Sequence, residues 1–573
     1  MVLEFIVKDI QKLIAEKKYD EVIEKSEKLF PVKKRPPFLS NIIGTAKMLR
    51  QDRSEEDIRA AINCFELAYT NDKNSITGFL AVCNLISAIT QNLKNHSFLE
   101  WEIKKAKNLY LDAEKFHQNK DKFLKAGYDL FVILLDHEKI KQICNNILKL
   151  EKKNKFILSN CIFSQLYYYD WGQKEYYEQS KIHSKYFNKL EVKDLDQSLF
   201  KLEGKINLGF VGNDFRLNHS ITYFLKKTFK YLDKSRFNIF LFSLSKRDPN
   251  DQSQNELIGS VDHWIDLEHL KNQEIVNIIQ EKKISILIDI IGLTKSSRVE
   301  IFKSRIAPIQ ISWLAYCNTL GFENIDYLIA DHNLIYPEEE KFYSEKILKM
   351  PEIWNSHSGF DFESTFNNPP SIENNSFTFG SFNNARKISD ENVEVWSNIL
   401  NSVPNSKLIL KSSLRFDYRV LLDKFEQYGV KNKIEIFDRK NFTPSEHLNF
   451  YKKIDVSLDT FPYNGVTTTF EALWMNVPVI VMKGFNFNSR CGESIIKNSK
   501  IDFLISRDKN EYLSKAIKLA KNKDLLIQIK NQLAKTILST PLYDAQKFSN
   551  SFGKILLEVY EKNLVTRSLF LKN

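Results

Sequence analysis

The chain has 573 residues, 43% hydrophobic and 27% charged; it is too long for a single core and ordinary for a globular protein, so about two to four domains are expected. No apolar run approaches the ~20 residues of a membrane span; Ile284–Ile291, among the most apolar, is short and holds Asp289. The net charge of +11 comes from lysines interleaved with Glu and Asp along the whole chain, which reads as a solvated surface and not as a nucleic-acid footprint.

Glu4 and Asp9 lie in a helical pattern at the N-terminus, which argues against a signal peptide. The cysteines (Cys64, Cys83, Cys144, Cys161, Cys317, Cys491) are scattered, without a CxxC pair, and a reduced, cytoplasmic compartment is expected. Residues 1–160 read as helix after helix, with Phe5, Ile6, Ile10, Leu13 and Ile14 at helical spacing. Lys17–Pro31 and Ile58–Asp72 are alike, and Ala61, Phe65 and Ala68 fall at small and large packing positions. Both segments resemble the second helix of a tetratricopeptide repeat, so a TPR-like helical repeat region is expected over 1–160, with a plain bundle as the alternative. Stacked helix pairs would offer a groove to an extended protein acceptor. Residues 161–204 read as a linker helix, docked through its aromatic residues. Asp194-Leu195-Asp196 has the form of a metal-binding DxD but follows no apolar strand, and is expected to be plain surface.

From 205 onward strands and helices alternate. Ile206–Val211, Phe237–Phe242, Ile284–Ile291 and Ile309–Leu314 are apolar, β-branched runs. The series restarts at Phe377–Phe382 and continues through Leu408–Leu410, Ile434–Phe437, Val456–Leu458 and Val479–Val481. This pattern predicts two parallel sheets covered on both faces, at 205–362 and 375–544, with Glu363–Ser376 as hinge. Two doubly wound domains facing a cleft are an α/β GT-B architecture. Ligands of such sheets bind beyond the carboxyl ends of the strands.

Four stretches lie at those ends. Gly209–Phe224 (GFVGNDFRLNHSITYF) follows the first strand and carries His219. Leu287–Arg298 and Arg305–Gly321 carry Asp289, Thr294 and Tyr316. Phe379–Ile388 (FGSFNNARKI) carries Asn383, Asn384 and Lys387. The fourth, 455–484 (DVSLDTFPYNGVTTTFEALWMNVPVIVMKG), reads as strand, turn, helix and strand. Asn464-Gly465 marks the turn, and Thr467, Thr468 and Thr469 open the helix, where Thr caps free amides. A helix N-terminus with amides, a positive dipole end and hydroxyls suits a diphosphate.

These stretches resemble the O-GlcNAc transferase/SPINDLY family of protein O-glycosyltransferases, through DTFPY-x-G-x-TTT-x-E-x-L, FGSFN[NQ]-x-x-K-I and the stretch around His219. The resemblance is strong over about 205–560 and weak over 17–200. It implies an inverting transferase moving a sugar from UDP-GlcNAc or GDP-fucose to Ser/Thr of proteins, with the last helix (545–573) packing back on the catalytic part. It further implies that Lys387 and the helix from Thr467 hold the diphosphate, and that Asn383, Asn384, His447, Asn464, Gly465, Thr467, Thr468, Thr469 and Glu471 bind the donor. His219, Thr294 and Tyr316 would face sugar and acceptor. His219, Asp289 and water are the candidates for taking the acceptor proton. The chain departs from the family at Leu293 (GHT in many relatives), at Ala315 and Cys317 (GYP), and in a longer loop before His219. No metal or cofactor is expected, because fixed donors replace a cation. A silent binding protein and a GT-B enzyme for small molecules are the rival readings.

Overall fold

A computed structural model of the chain describes residues 2–92, 100–150, 154–196, 199, 204–216, 219–294, 297–360, 368–412, 417–438 and 443–570. The chain divides into two compact units, one of residues 1–158 with 414–421 and the other of 159–413 with 422–573.

Among the described residues, the first unit contains eight helices: Val2–Ala15, Tyr19–Leu29, Pro37–Leu49, Glu55–Asn71, Ile76–Asn92, Glu100–His117, Asp121–Ile133 and His137–Lys149. Each packs mainly on its neighbours in sequence, the arrangement of a helical-repeat array. The small/large pattern explains how. Ala61, Phe65 and Ala68 are all buried, and the Phe65 ring occupies the space that a Cβ at Gly44 would need. Ser54 starts its helix with a capping box to Asp57, satisfying amides that would otherwise lack acceptors.

The second unit carries both sheets. The first contains β1 (Ile206–Gly212), β2 (Phe237–Ser243), β3 (His263–Asp266), β4 (Ile286–Asp289), β5 (Ile309–Ser312), β6 (Tyr327–Asp331) and β7 (Lys346–Met350), in the order β3-β2-β1-β4-β5-β6-β7. The second contains β8 (Phe377–Ser381), β9 (Ser406–Ser412), β10 (Ile434–Asp438), β11 (Val456–Leu458), β12 (Val479–Met482) and β13 (Ile505–Ser506), in the order β10-β9-β8-β11-β12-β13. All pairings are parallel, and central strands such as β4, β5, β8 and β12 are buried throughout. That double burial is why they appear in the sequence as unbroken apolar runs.

Three expectations need correction. The stretch 161–204 is not one linker helix. It comprises the end of a helix Lys155–Ser164, a 3-10 turn Gln165–Tyr167, a helix Gln173–Ser184 and an extended segment. It is docked, as its aromatic residues suggest: Tyr176 hydrogen-bonds Tyr316, and Gln173 donates to Asn318 at 2.9 Å. The hinge expected over Glu363–Ser376 contains a short helix, Pro370–Asn374, and its first five residues lie outside the described ones. The strands β3, β6, β7 and β13 were not foreseen. Asp194 and Asp196 lie on the exposed extended segment, where Asp196 pairs with Lys283.

The final helix, Ala545–Phe570, returns to the first sheet domain. Its Phe552 ring lies 4.7 Å from that of Trp313, and Tyr560 donates to Leu199. The two sheet domains are also clamped directly. Arg490, only 4% exposed, reaches from the helix Phe487–Asn498 to Glu339 through two bonds of 2.5 and 2.7 Å. Ser494 on the same helix donates to Asp331 at the end of β6, at 2.7 Å.

Candidate active site

The carboxyl ends of the two sheets enclose a cleft of about 930 Å³. Its second-domain wall begins where β8 ends. Asn384 caps a 3-10 turn, Ala385–Lys387, by accepting from the Arg386 amide, and the turn aims Lys387 at the loop after β11. There Lys387 Nζ donates to the Asn464 carbonyl at 2.8 Å and lies 4.3 Å from the centre of the Tyr463 ring. Tyr463 in turn stacks on Tyr167 at 4.8 Å, and the Arg386 guanidinium lies 5.3 Å from the Tyr167 ring centre.

The loop itself is held by Asp459. Its Oδ1 accepts from the Gly465 amide at 2.7 Å, the Thr460 amide at 2.9 Å and Asn383 Nδ2 at 3.1 Å. Asn383 then accepts from the Thr468 hydroxyl at 2.9 Å. Glycine is required at 465, where a Cβ would meet Thr468, Asn383 and Asp459 together. The helix Thr467–Trp474 starts here without a side-chain cap, so the threonines do not cap it as expected; Val466 is the flanking residue. The Val466 carbonyl accepts from the Thr469 and Phe470 amides; the amides ahead of them have no bond among the described residues, and Thr467 and Thr468 both line the cleft. One turn on, Glu471 accepts from His447 Nε2 at 3.1 Å and from the Tyr451 hydroxyl at 2.9 Å.

The first-domain wall is made by the segments after β1 to β5, chiefly those after β1, β4 and β5. Asn213, Asp214, Arg216 and His219 line it, with Thr294, Ala315 and Cys317. His219 precedes the helix Ser220–Tyr231, and its Nε2 lies 3.3 Å from Asp214 Oδ1. Thr294 donates to the Ile291 carbonyl at 2.9 Å.

Of the residues expected at the site, His219, Thr294, Asn383, Asn384, Lys387, His447, Thr467, Thr468 and Glu471 line this one cleft. Five do not. Asp289 is buried at the end of β4, where it accepts from the Ile291 and Gly292 amides at 3.0 and 3.1 Å; it shapes a turn and presents no carboxylate to an acceptor. Tyr316 is buried behind that turn, its hydroxyl on Tyr176, and its ring fills the space a side chain at Gly292 would take. Asn464 Oδ1 accepts from the Gly492 amide, Gly465 serves as the tight turn, and Thr469 donates to the Gly465 carbonyl. Four residues were missed: Asp214, Asp459, Tyr463 and Tyr167. Asp459 follows a buried strand directly and Asp214 comes two residues after one, and a carboxylate there is a signal that sequence reading can use.

The model of the family described as "Glycosyl transferase family 41" matches residues 182–358 and 365–552. The chain belongs to that family. Curated relatives include a probable UDP-N-acetylglucosamine–peptide N-acetylglucosaminyltransferase SPINDLY from Petunia hybrida, 29% identical over 362 residues, 61% of this chain and 38% of that protein. A probable enzyme of the same activity named SEC, from Arabidopsis thaliana, is 30% identical over 369 residues, 62% of this chain and 37% of that protein. This chain thus spans well under half the length of these relatives. Among solved structures, an O-GlcNAc transferase mutant of Thermobaculum terrenum superposes with a TM-score of 0.75 at 21% identity, over 89% of this chain and 95% of that one, which shows the shared fold.

In this family 41 cleft, burial works against the charges of Lys387, Asp459 and Glu471. It lowers the pKa of Lys387, an effect that Asp459 opposes. It pushes the Asp459 carboxyl up to about 7, against the bonds from Gly465 and Asn383 and the attraction of Lys387. It raises Glu471 too, but His447, Lys411 and Tyr451 more than offset this and hold that carboxyl at about 2. The wall therefore pairs a half-buried cation with the start of a helix and a fixed anion one helical turn away.

Proposed function

We propose that this chain is an inverting, metal-independent protein O-glycosyltransferase. The acceptor Ser or Thr oxygen attacks C1 of the sugar, the C1–O bond to the nucleoside diphosphate breaks with its electron pair leaving on the phosphate, and the hydroxyl proton passes to His219. One observation carries the reading: the Lys387 ammonium and, at the helix start, Thr467 and Thr468 line the same cleft. Fixed donors of this kind offset the charge that grows on a departing diphosphate without any reorganisation. Of the donors the motifs imply, UDP-GlcNAc is preferred over GDP-fucose, because the relatives' names carry that activity. His447, Glu471, Asn383 and Asn384 hold the nucleotide, and Thr294 faces the sugar. The helical region is assigned the protein acceptor, since a stacked array offers an extended groove.

The test is transfer to a peptide array from UDP-GlcNAc and from GDP-fucose, with excess EDTA in parallel. Transfer from UDP-GlcNAc that survives EDTA is expected. Activity lost in EDTA and restored by Mg²⁺ or Mn²⁺ would overturn the metal-free assignment, and transfer from GDP-fucose alone would overturn the donor. Excising residues 1–160 is expected to lower transfer to protein far more than donor hydrolysis; equal losses refute the acceptor role.

A further inference from the structure

We propose that donor binding is linked to proton uptake at Asp459: the carboxylate takes a proton from solution as the diphosphate settles on Lys387, and gives it back when the nucleotide leaves. This rests on the reading above that Lys387 holds the diphosphate.

The geometry runs through one peptide group. Lys387 Nζ donates to the Asn464 carbonyl at 2.8 Å, and the Gly465 amide donates to Asp459 Oδ1 at 2.7 Å. That carbonyl and that amide belong to the same planar unit, so cation and carboxylate face each other across a single peptide bond. Asn383 makes a second link: its Nδ2 donates to Asp459 Oδ1 at 3.1 Å, and its Oδ1 accepts from the Thr468 hydroxyl at 2.9 Å. Asp459 is thus one bridging group away from both the ammonium and the helix start, and is itself buried. Its two oxygens are unequal. Oδ1 also accepts from the Thr460 amide, whereas Oδ2 is buried and has no partner. A Cβ at Gly492 would lie 3.0 Å from Oδ2, so the helix Phe487–Asn498 closes that side with its backbone. Charge on a buried oxygen that no donor meets is costly, and a proton removes it.

The surrounding charges set the direction. Burial pushes the Asp459 carboxyl up to about 7, and Lys387 pulls it down. The other titratable groups around the pair are Tyr512, whose hydroxyl donates to the Asp459 carbonyl at 2.9 Å, and Cys317 and Cys491 beside Lys387. Burial raises Tyr512 and Cys491 well above their ordinary values, so both are neutral near pH 7. Lys387 is therefore the cation that offsets Asp459. A bound diphosphate engages that cation and brings two negative charges of its own. Across one hydrogen-bonded peptide, roughly 7 Å, each such charge strengthens proton binding on the order of tenfold. A carboxyl mostly ionised at pH 7.5 in the free chain is then mostly protonated in the complex. Because the complex holds the extra proton, donor affinity is full below about pH 6 and falls as pH rises above 7.

The test is calorimetric titration of the full chain with UDP-GlcNAc, and with GDP-fucose in parallel, in buffers of differing ionisation enthalpy. Both phosphates of either donor are esterified, so neither donor titrates near pH 7. At pH 7.5 the buffer dependence should report uptake of about half a proton or more, and Kd should rise about three- to tenfold between pH 7 and 8.5. Asp459→Asn should bind with a proton number near zero and a flatter pH profile. Adding donor to the unsubstituted chain should also raise the infrared band of a protonated carboxyl, a signal that no ammonium or imidazole can give. Enthalpies independent of buffer, a missing carboxyl band, or an uptake that persists in Asp459→Asn each overturn the proposal. Failure of both donors to bind at any pH overturns the diphosphate reading and the linkage together, whereas binding without uptake removes the linkage alone.

Discussion

The two walls of the cleft are built on opposite plans. On the second-domain wall the carboxylates are buried and tied down by hydrogen bonds: Asp459 is 1% exposed and holds the loop from Thr460 to Gly465 through three bonds. On the first-domain wall, Asp214, Arg216 and His219 have side chains 19%, 63% and 30% exposed. A site for one invariant group, a diphosphate, gains from donors fixed in advance. Under the function proposed above, a site that takes protein hydroxyls gains from groups left open to the incoming chain. On that reading, the difference teaches that donor recognition is built into the fold, whereas the acceptor side is completed by the acceptor.

Four measurements break or sharpen that contrast. Lys387→Ala should lower transfer by about 10²–10³-fold, the cost of removing one electrostatic donor, with unchanged circular dichroism; a loss below tenfold would show that the buried wall is scaffold. His219→Ala should lower turnover by about 10²-fold while nucleotide binding, read by calorimetry, stays near wild type; a matching loss of donor affinity would erase the division between the walls.

Asp459→Asn should act on stability. The Asp459 carboxyl is raised to about 7 by burial, well above its value in an unfolded chain, so the folded state binds the proton more tightly. Its contribution is full below about pH 4 and declines as pH rises toward 7, by a few kcal/mol in all. Asparagine keeps the oxygen that accepts from Thr460, Asn383 and Gly465 and has no charge to bury. The variant should therefore melt higher than wild type at pH 8 and show a flatter slope between pH 4 and 7; a steeper slope or a lower melting point refutes the buried-charge account. The smallest effect is expected from Tyr167→Ala, which removes the ring stacked behind Tyr463 beneath the Lys387 ammonium. Cation–π support of about 0.5–2 kcal/mol corresponds to a few-fold to tens-fold loss in kcat, and an unaltered kcat would detach the segment before the first sheet from the donor wall.

Much of this was legible in the sequence, for a physical reason. Strands buried on both faces appear as apolar runs, so β1, β2, β4, β5 and most of the second sheet were found. β3, with exposed His263 and half-exposed Trp264 at an edge, and β13, two residues long, carry no such run. β7 lies on the opposite edge, where Lys346 and Lys349 break up its apolar residues. At the site, motif and loop chemistry located Lys387, Thr467 and His219, because strand-end position is a property of sequence order. Which side chains turn toward the cleft is not. Asp289 and Asp214 both follow apolar strands, yet one folds back on its own amides and the other meets His219. Tyr167 was missed as a support because its partner, Tyr463, is nearly three hundred residues away.

On the function proposed above, the Arg490–Glu339 clamp bears on how the cleft exchanges ligands. Separating a buried, bidentate pair by removing one partner typically costs about 3–5 kcal/mol, and the Ser494–Asp331 bond on the same helix would have to break with it. A scissor-like gape of the two sheet domains is thus an expensive route for nucleotide entry and departure. Traffic falls instead to the segments at the cleft mouth, and turnover should depend on the motion of loops rather than on the swing of domains.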